Sequence, residues 1–113
     1  MIDSILLFST KRGDGLKLQN LIWKDEVREK IAVKHAVTEP EVEEVLFSEP
    51  HIRLAEKGHV KGEHLYFAYG QTDSGRYLII LFIWKGQGSA LPISARDMTA
   101  AERRYYNEQN EAT

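Results

Sequence analysis

The sequence predicts an α+β domain, a small antiparallel sheet of three to five strands with helices packed on one face. Three observations predict it. Two capping boxes, Thr38-Glu39-Pro40-Glu41 and Thr99-Ala100-Ala101-Glu102, each announce a helix start. Between them, residues 77–84 (YLIILFIW) are apolar at every position, the pattern of a central strand buried on both faces. Around that run, strand-like segments are punctuated by short glycine-bearing turns, which join antiparallel neighbours.

Taken in order, residues 1–20 form a lead-in, polar around Gly13 and Gly15. Its short apolar stretch, residues 5–8, reads either as an edge strand or as part of an upstream extension. A single domain follows over residues 21–110. Leu21-Ile22-Trp23 suits a short strand. Asp25 offers an N-cap for a helix through about residue 34, with Val27 and Ile31 four apart on its narrow apolar face. Lys34 and His35 place positive charge at its end, where the helix dipole favours it. The second helix starts at the Thr38 box, carries Val42, Val45 and Leu46 as its stripe, and ends before Pro50. Strands are expected at residues 51–55, 65–70, 77–84 and 89–95, with a loop at 58–62 and turns at 72–75 and 86–88. Pro92 has no N–H to donate, so the last strand lies at an edge or carries a bulge. The final helix runs from the Thr99 box to about residue 107.

Composition narrows the function classes. With 113 residues, two domains would each be too small to build a comfortable core. Fifteen Lys and Arg against 17 Asp and Glu give a net charge of -2, unlike a strongly basic nucleic-acid binder or an acidic tail. Without cysteine there is no disulfide framework, thiol nucleophile or thiolate zinc site. No apolar run approaches the roughly 18 residues of a membrane span. The amino end lacks a basic leader, so a cytoplasmic location without membrane partners is expected. His35, His51, His59 and His64 show no metal-ligand spacing, and no metal or other cofactor is expected.

The charges are segregated. Residues 36–50 hold five glutamates and no Lys or Arg, whereas residues 51–106 hold eight basic and five acidic residues. A polyanion could bind the sheet and last helix while the acidic helix faces elsewhere. The alternative is simple solvation of a surface helix by Glu41, Glu43 and Glu44.

The segment Ile93-Ser94-Ala95-Arg96, followed by the Thr99 cap, Glu102-Arg103 and Tyr105-Tyr106, resembles the carboxyl-terminal signature of the BrnT toxin family. Trp23, then Lys34-His35-x-Val37, Gly62-Glu63, and Gly75-Arg76 before the long apolar strand agree in order and separation. The resemblance spans roughly residues 22–106. It implies a RelE/ParE-like fold and the toxin of a toxin–antitoxin pair, a metal-independent ribonuclease acting on cellular RNA. An antitoxin protein that also binds operator DNA would hold it inactive, docking between the first helix and the sheet.

Metal-free RNA cleavage needs a base for the 2′-hydroxyl, an acid for the leaving oxygen and a cation over the phosphorane. Arg96 suits the cation role, since it follows a strand and precedes a helix N-terminus, and its fork can grip two phosphate oxygens. It could equally pair with Asp97 or Glu102 for structural reasons. His64 and Glu63 are the proton-transfer candidates, His64 because imidazole titrates near neutrality. Lys61, Arg76 and Lys85 are candidate substrate contacts, Lys85 being equally suited to blunting a sheet edge. Trp23, Tyr66, Trp84 and Tyr105 could stack bases or fill the core.

The chain departs from the family pattern at several positions. Lys24 follows the strand Trp where relatives have Asp, and Val27 and Ile31 stand where they have Lys and Asn. Leu65 replaces the Arg of a G-E-x-R segment, and Leu91-Pro92 replaces a second Arg ahead of the ISAR motif. His64 is no simple substitute, because adjacent strand residues face opposite sides. A catalytically inactive, RelE-like protein-binding module is therefore the alternative reading.

Overall fold

The structure is a computed structural model that describes residues 17–56 and 63–112. The apolar stretch at residues 5–8, and the expected loop at 58–62 with Lys61, lie outside the described residues. The elements are β1 (Asn20–Leu21), α1 (Asp25–His35), α2 (Glu39–Leu46), β2 (His51–Glu56), β3 (Leu65–Gln71), β4 (Tyr77–Gly86), β5 (Ser89–Asp97) and α3 (Ala100–Ala112). The five strands form one sheet in the order β1-β5-β4-β3-β2. β2 to β5 make an antiparallel meander, and β1 runs parallel to β5. The α+β class holds, with a mixed sheet in place of a purely antiparallel one. The parallel part is small: Asn20 pairs with Ser89 and Leu21 with Ala90. Asn20, expected in the lead-in, is thus part of the sheet, and Leu18 packs against the core.

Local sequence explains most boundaries. Thr38 caps α2 as expected: its hydroxyl accepts from the Glu41 N–H at 3.3 Å, and its own N–H donates to the Glu41 carboxylate at 3.0 Å. The Thr99 box closes the same way, with Thr99 N–H donating to Glu102 at 2.8 Å and Glu102 N–H to the Thr99 hydroxyl at 3.1 Å. Asp25 is not the cap of α1. Lys24 holds that position without a side-chain bond, and Asp25, one residue inside, accepts from Arg28 at 2.7 Å. At the other end Ala36 turns left-handed (φ 54°), its N–H reaching the Ala32 carbonyl, and Val37 enters the core.

Central β4 is hydrogen-bonded along its length to both β3 and β5. Both of its faces are apolar, and strand alternation sends consecutive residues to opposite sides. Leu78, Ile80 and Phe82 meet α1 and α2 through Ile31, Val42 and Val45. Ile79, with Tyr69 and Tyr77, meets Tyr105 and Tyr106 of α3. The expectation that all helices pack on one face is therefore corrected: α1 and α2 cover one face and α3 covers part of the other. A strand apolar on both sides requires cover on both sides.

Pro92 sits in a bulge. Leu81 pairs with Ser94 and Phe82 with Pro92, leaving Ile93 as the extra residue. β1 ends opposite Ala90, so the missing N–H of Pro92 breaks no ladder bond toward it.

One close approach fixes how α2 lies on the sheet. A Cβ at Gly70 would stand 2.9 Å from Val45 Cγ1 and 3.6 Å from Pro50 Cβ. Val45 is buried and β-branched, so it has little room to yield. Gly70→Ala should cost about 1–3 kcal/mol of stability by overpacking. Urea denaturation reads this directly, and an unchanged midpoint would contradict the packing described.

Candidate active site

The face that α3 only partly covers carries the polar groups of interest. Alternation places His51 and Arg53 of β2, Phe67 and Tyr69 of β3, Ile79 and Leu81 of β4, and Ser94 and Arg96 of β5 on it. One cross-strand row reads His51, Tyr69, Ile79, Arg96. Phe67, Ile79, Leu81, Ser94 and Arg96 line a shallow hollow of about 190 Å³.

At the β2 end of the row, Tyr105 reaches down from α3. Its hydroxyl lies 2.8 Å from His51 Nε2. The His51 and Tyr105 rings meet edge-on at 5.3 Å, and Tyr69 packs on Tyr105 at 5.1 Å. The Arg53 guanidinium carbon lies 5.0 Å from the centre of the Tyr105 ring, a cation–π geometry. Arg53 Nη1 stands 3.5 Å from the Tyr69 hydroxyl, at the long limit of a hydrogen bond.

At the β5 end, Arg96 makes a bidentate pair with Glu102, at 2.9 and 3.0 Å, and donates to the Asp97 carbonyl at 3.1 Å. The hydrogen bonds from Arg96 hold the Glu102 carboxyl below its ordinary range, reinforced by the Thr99 N–H. Glu102 raises the Arg96 pKa in return. The side chain of Arg96 stays 39% exposed, so the guanidinium remains within reach of a ligand. The pairing of Arg96 with Glu102 is thus seen directly, with the fork held by that carboxylate at the mouth of an open hollow.

The other candidates lie elsewhere. Arg76 joins the carboxyl end of α1 to the sheet. It donates to the carbonyls of His35 (3.0 Å) and Ala36 (2.7 Å), to Asp97 (2.7 Å) and to Glu41 (3.1 Å). These bonds engage the whole fork in the fold. Lys85 is ion-paired with Glu63. That pair stands six residues along β4 from Ile79, the partner of Arg96, or about 20 Å at strand rise. His64 precedes β3, and its carbonyl accepts from the Trp84 N–H at 3.3 Å. The structure therefore brings Glu63 and Lys85 together and does not bring Glu63 or His64 beside Arg96.

Among the four aromatics, Trp23, Tyr66 and Trp84 belong to the core under α1 and α2, and Tyr66 stacks on Phe82. Burial pushes the Tyr66 phenol up. Tyr105 alone of the four faces the open side. Among the described residues no three His, Asp or Glu side chains converge as metal ligands, and no helix is long and apolar enough to cross a membrane.

Residues 23–102 match the family model of the ribonuclease toxin BrnT of type II toxin–antitoxin systems. This chain belongs to the BrnT family. The match runs from Trp23, at the entry to α1, to Glu102, the carboxylate that holds Arg96. The crystal structure of the Brucella abortus ribonuclease toxin BrnT superposes with a TM-score of 0.51 at 17% identity, covering 72% of this chain and 97% of that one. At that identity the likeness shows a shared fold. No curated protein matches the sequence. As a BrnT-family toxin of a type II system, the protein has an antitoxin as its implied partner.

Sequence reasoning singled out Arg96 and missed His51, Arg53 and Tyr69 as members of one cluster. The available signal was the His-x-Arg alternation in β2, which puts both side chains on one face. What lacked a signal was the register that sets His51 opposite Tyr69.

Proposed function

We propose that this BrnT-family toxin is a metal-independent ribonuclease that cleaves cellular RNA and thereby arrests growth, a divergent member of the RelE/ParE-like superfamily acting in a bacterial cytoplasm. The observation that carries the reading is Arg96 itself, a partly exposed guanidinium at the edge of an open hollow, between the end of β5 and the first turn of α3. There it can stabilise the charge that builds on a phosphate during attack by the 2′-hydroxyl. Glu102 keeps the fork ordered until RNA displaces it, which lowers the cost of orienting the cation.

Glu63 and His64 lie too far along the sheet to exchange protons at a phosphate held by Arg96. In this account His64 and Lys85 are contacts along the path of the RNA strand, and Glu63 positions Lys85. Arg76 supports the fold on which the site is built. An antitoxin docked at the first helix and the sheet would silence it, and the operator DNA would be bound only through that antitoxin.

The bidentate pair with Glu102 also favours a second reading, a protein-binding module in which Arg96 has become structural. One experiment separates the two. Purified protein, freed of any antitoxin and incubated with total RNA in excess EDTA, should fragment it. Intact RNA, with and without added magnesium, would support the binding module.

A further inference from the structure

We propose that Arg53 is a second phosphate-binding cation, holding the RNA backbone at a nucleotide neighbouring the phosphate at Arg96; this rests on the reading of the protein as an RNA-cleaving toxin. Arg28, Arg76 and Arg96 each bind a carboxylate. Arg53 is exposed, and among the described residues its recorded partners are aromatic: the face of Tyr105 and the hydroxyl of Tyr69. An arginine stacked on a ring keeps the edge of its fork, and with it most of its five donors, turned outward for an anion.

The ring beneath it is fixed. Tyr105 is anchored by its hydroxyl to His51 Nε2 and by packing to Tyr69, which is 4% exposed. A cation mounted on such a platform has less freedom to lose when it binds than one on a bare strand. The location also matches. Arg53 and Arg96 lie on one face of the sheet, three strands across and one cross-strand row apart, so their Cα atoms are separated by roughly 16 Å at the usual strand spacing and rise. The Arg53 guanidinium leans toward the Tyr69 hydroxyl, and Arg96 stands two strands from Tyr69 in the same cross-strand row. Two guanidinium groups on one face, with Phe67 and Tyr69 between them, suit two phosphates of a single strand with a base between them.

The test uses the whole chain and a short single-stranded RNA carrying 2′-O-methyl groups throughout, which removes the attacking hydroxyl and isolates binding. Fluorescence anisotropy across a salt series should show Arg53→Ala binding about tenfold more weakly than wild type. Its slope of log affinity against log salt should fall by about 0.7, the loss of one phosphate contact on a single strand. Arg53→Lys should recover part of the affinity and the full slope, because it restores the charge without the stacked fork. Circular dichroism confirms that both variants fold, which the exposed position favours.

Equal affinities and slopes for wild type and Arg53→Ala would overturn the proposal. The companion readout is cleavage of the unmodified RNA. Binding that depends on Arg53 without cleavage by wild type would uphold the subsite and remove the ribonuclease reading. Cleavage by wild type with no dependence of binding on Arg53 would do the reverse, and no RNA binding at all would overturn both.

Discussion

Arg76→Ala should lower the stability of the domain by about 2–3 kcal/mol, the range for removing a partly buried, charge-assisted network. The side chain joins three elements. It caps the carboxyl end of α1 through the His35 and Ala36 carbonyls, holds Glu41 in the first turn of α2, and binds Asp97 at the end of β5. Positive charge at a helix carboxyl terminus adds to those bonds. For a domain of this size the melting temperature should fall by about 10 °C or more.

The same network makes stability depend on acid. Arg76 holds the Asp97 carboxyl below its ordinary value; the Thr38 N–H first, and then Arg76, do so for Glu41. Carboxylates depressed in the folded state are protonated more readily in the unfolded chain, so their stabilisation is complete above the usual range near pH 4 and lost below it. Denaturation midpoints should therefore drop steeply from about pH 5 to pH 3 in wild type and less steeply in Arg76→Ala. A variant as stable as wild type at pH 7, with the same acid profile, would show that the network contributes nothing.

Arg96→Ala should reduce RNA cleavage by at least about a hundredfold, the usual loss when a group stabilising transition-state charge is removed. Because Arg96 also binds Glu102, the substitution has a structural side effect. Glu102 nevertheless keeps its bond from the Thr99 N–H, so the first turn of α3 stays capped. Assays well below the melting temperature separate the two contributions. Arg96→Lys retains the charge and should retain a fraction of the activity, whereas a purely structural role would leave cleavage by folded Arg96→Ala close to wild type.

What the sequence made legible was local. The two Thr-x-x-Glu boxes specify their own helix starts, because all four of the groups involved lie within four residues. Residues 77–84 declare a central strand by having no polar side at all, and Pro92 forces an irregularity wherever its strand pairs. Non-local features were harder. The two-residue β1 owes its place to Gly88 accepting from the Asn20 N–H and Ala90 from the adjoining Ile22 N–H, each 68 residues away, which no local propensity encodes. The position of α3 on the second face follows from the alternation of Tyr105 and Tyr106 against Tyr69 and Ile79, visible only once β3 and β4 are in register.

The candidate site divides in the same way. Arg96 was legible because its motif lies in one continuous segment, from the end of a strand to a helix cap. His51, Arg53, Tyr69 and Tyr105 come from three elements spread over 55 residues, and only the sheet register and the docking of α3 bring them together. Glu63 and Lys85 show the converse. Each is plausible chemistry in sequence, and the register pairs them with each other about 20 Å from Arg96.

The most direct test of the account is pulse expression of wild type and Arg96→Ala in cells lacking a cognate antitoxin, following growth and total RNA integrity. The account predicts arrest with RNA fragmentation in wild type and neither in the variant. Normal growth with intact RNA in both, with the proteins shown to be folded, would contradict it.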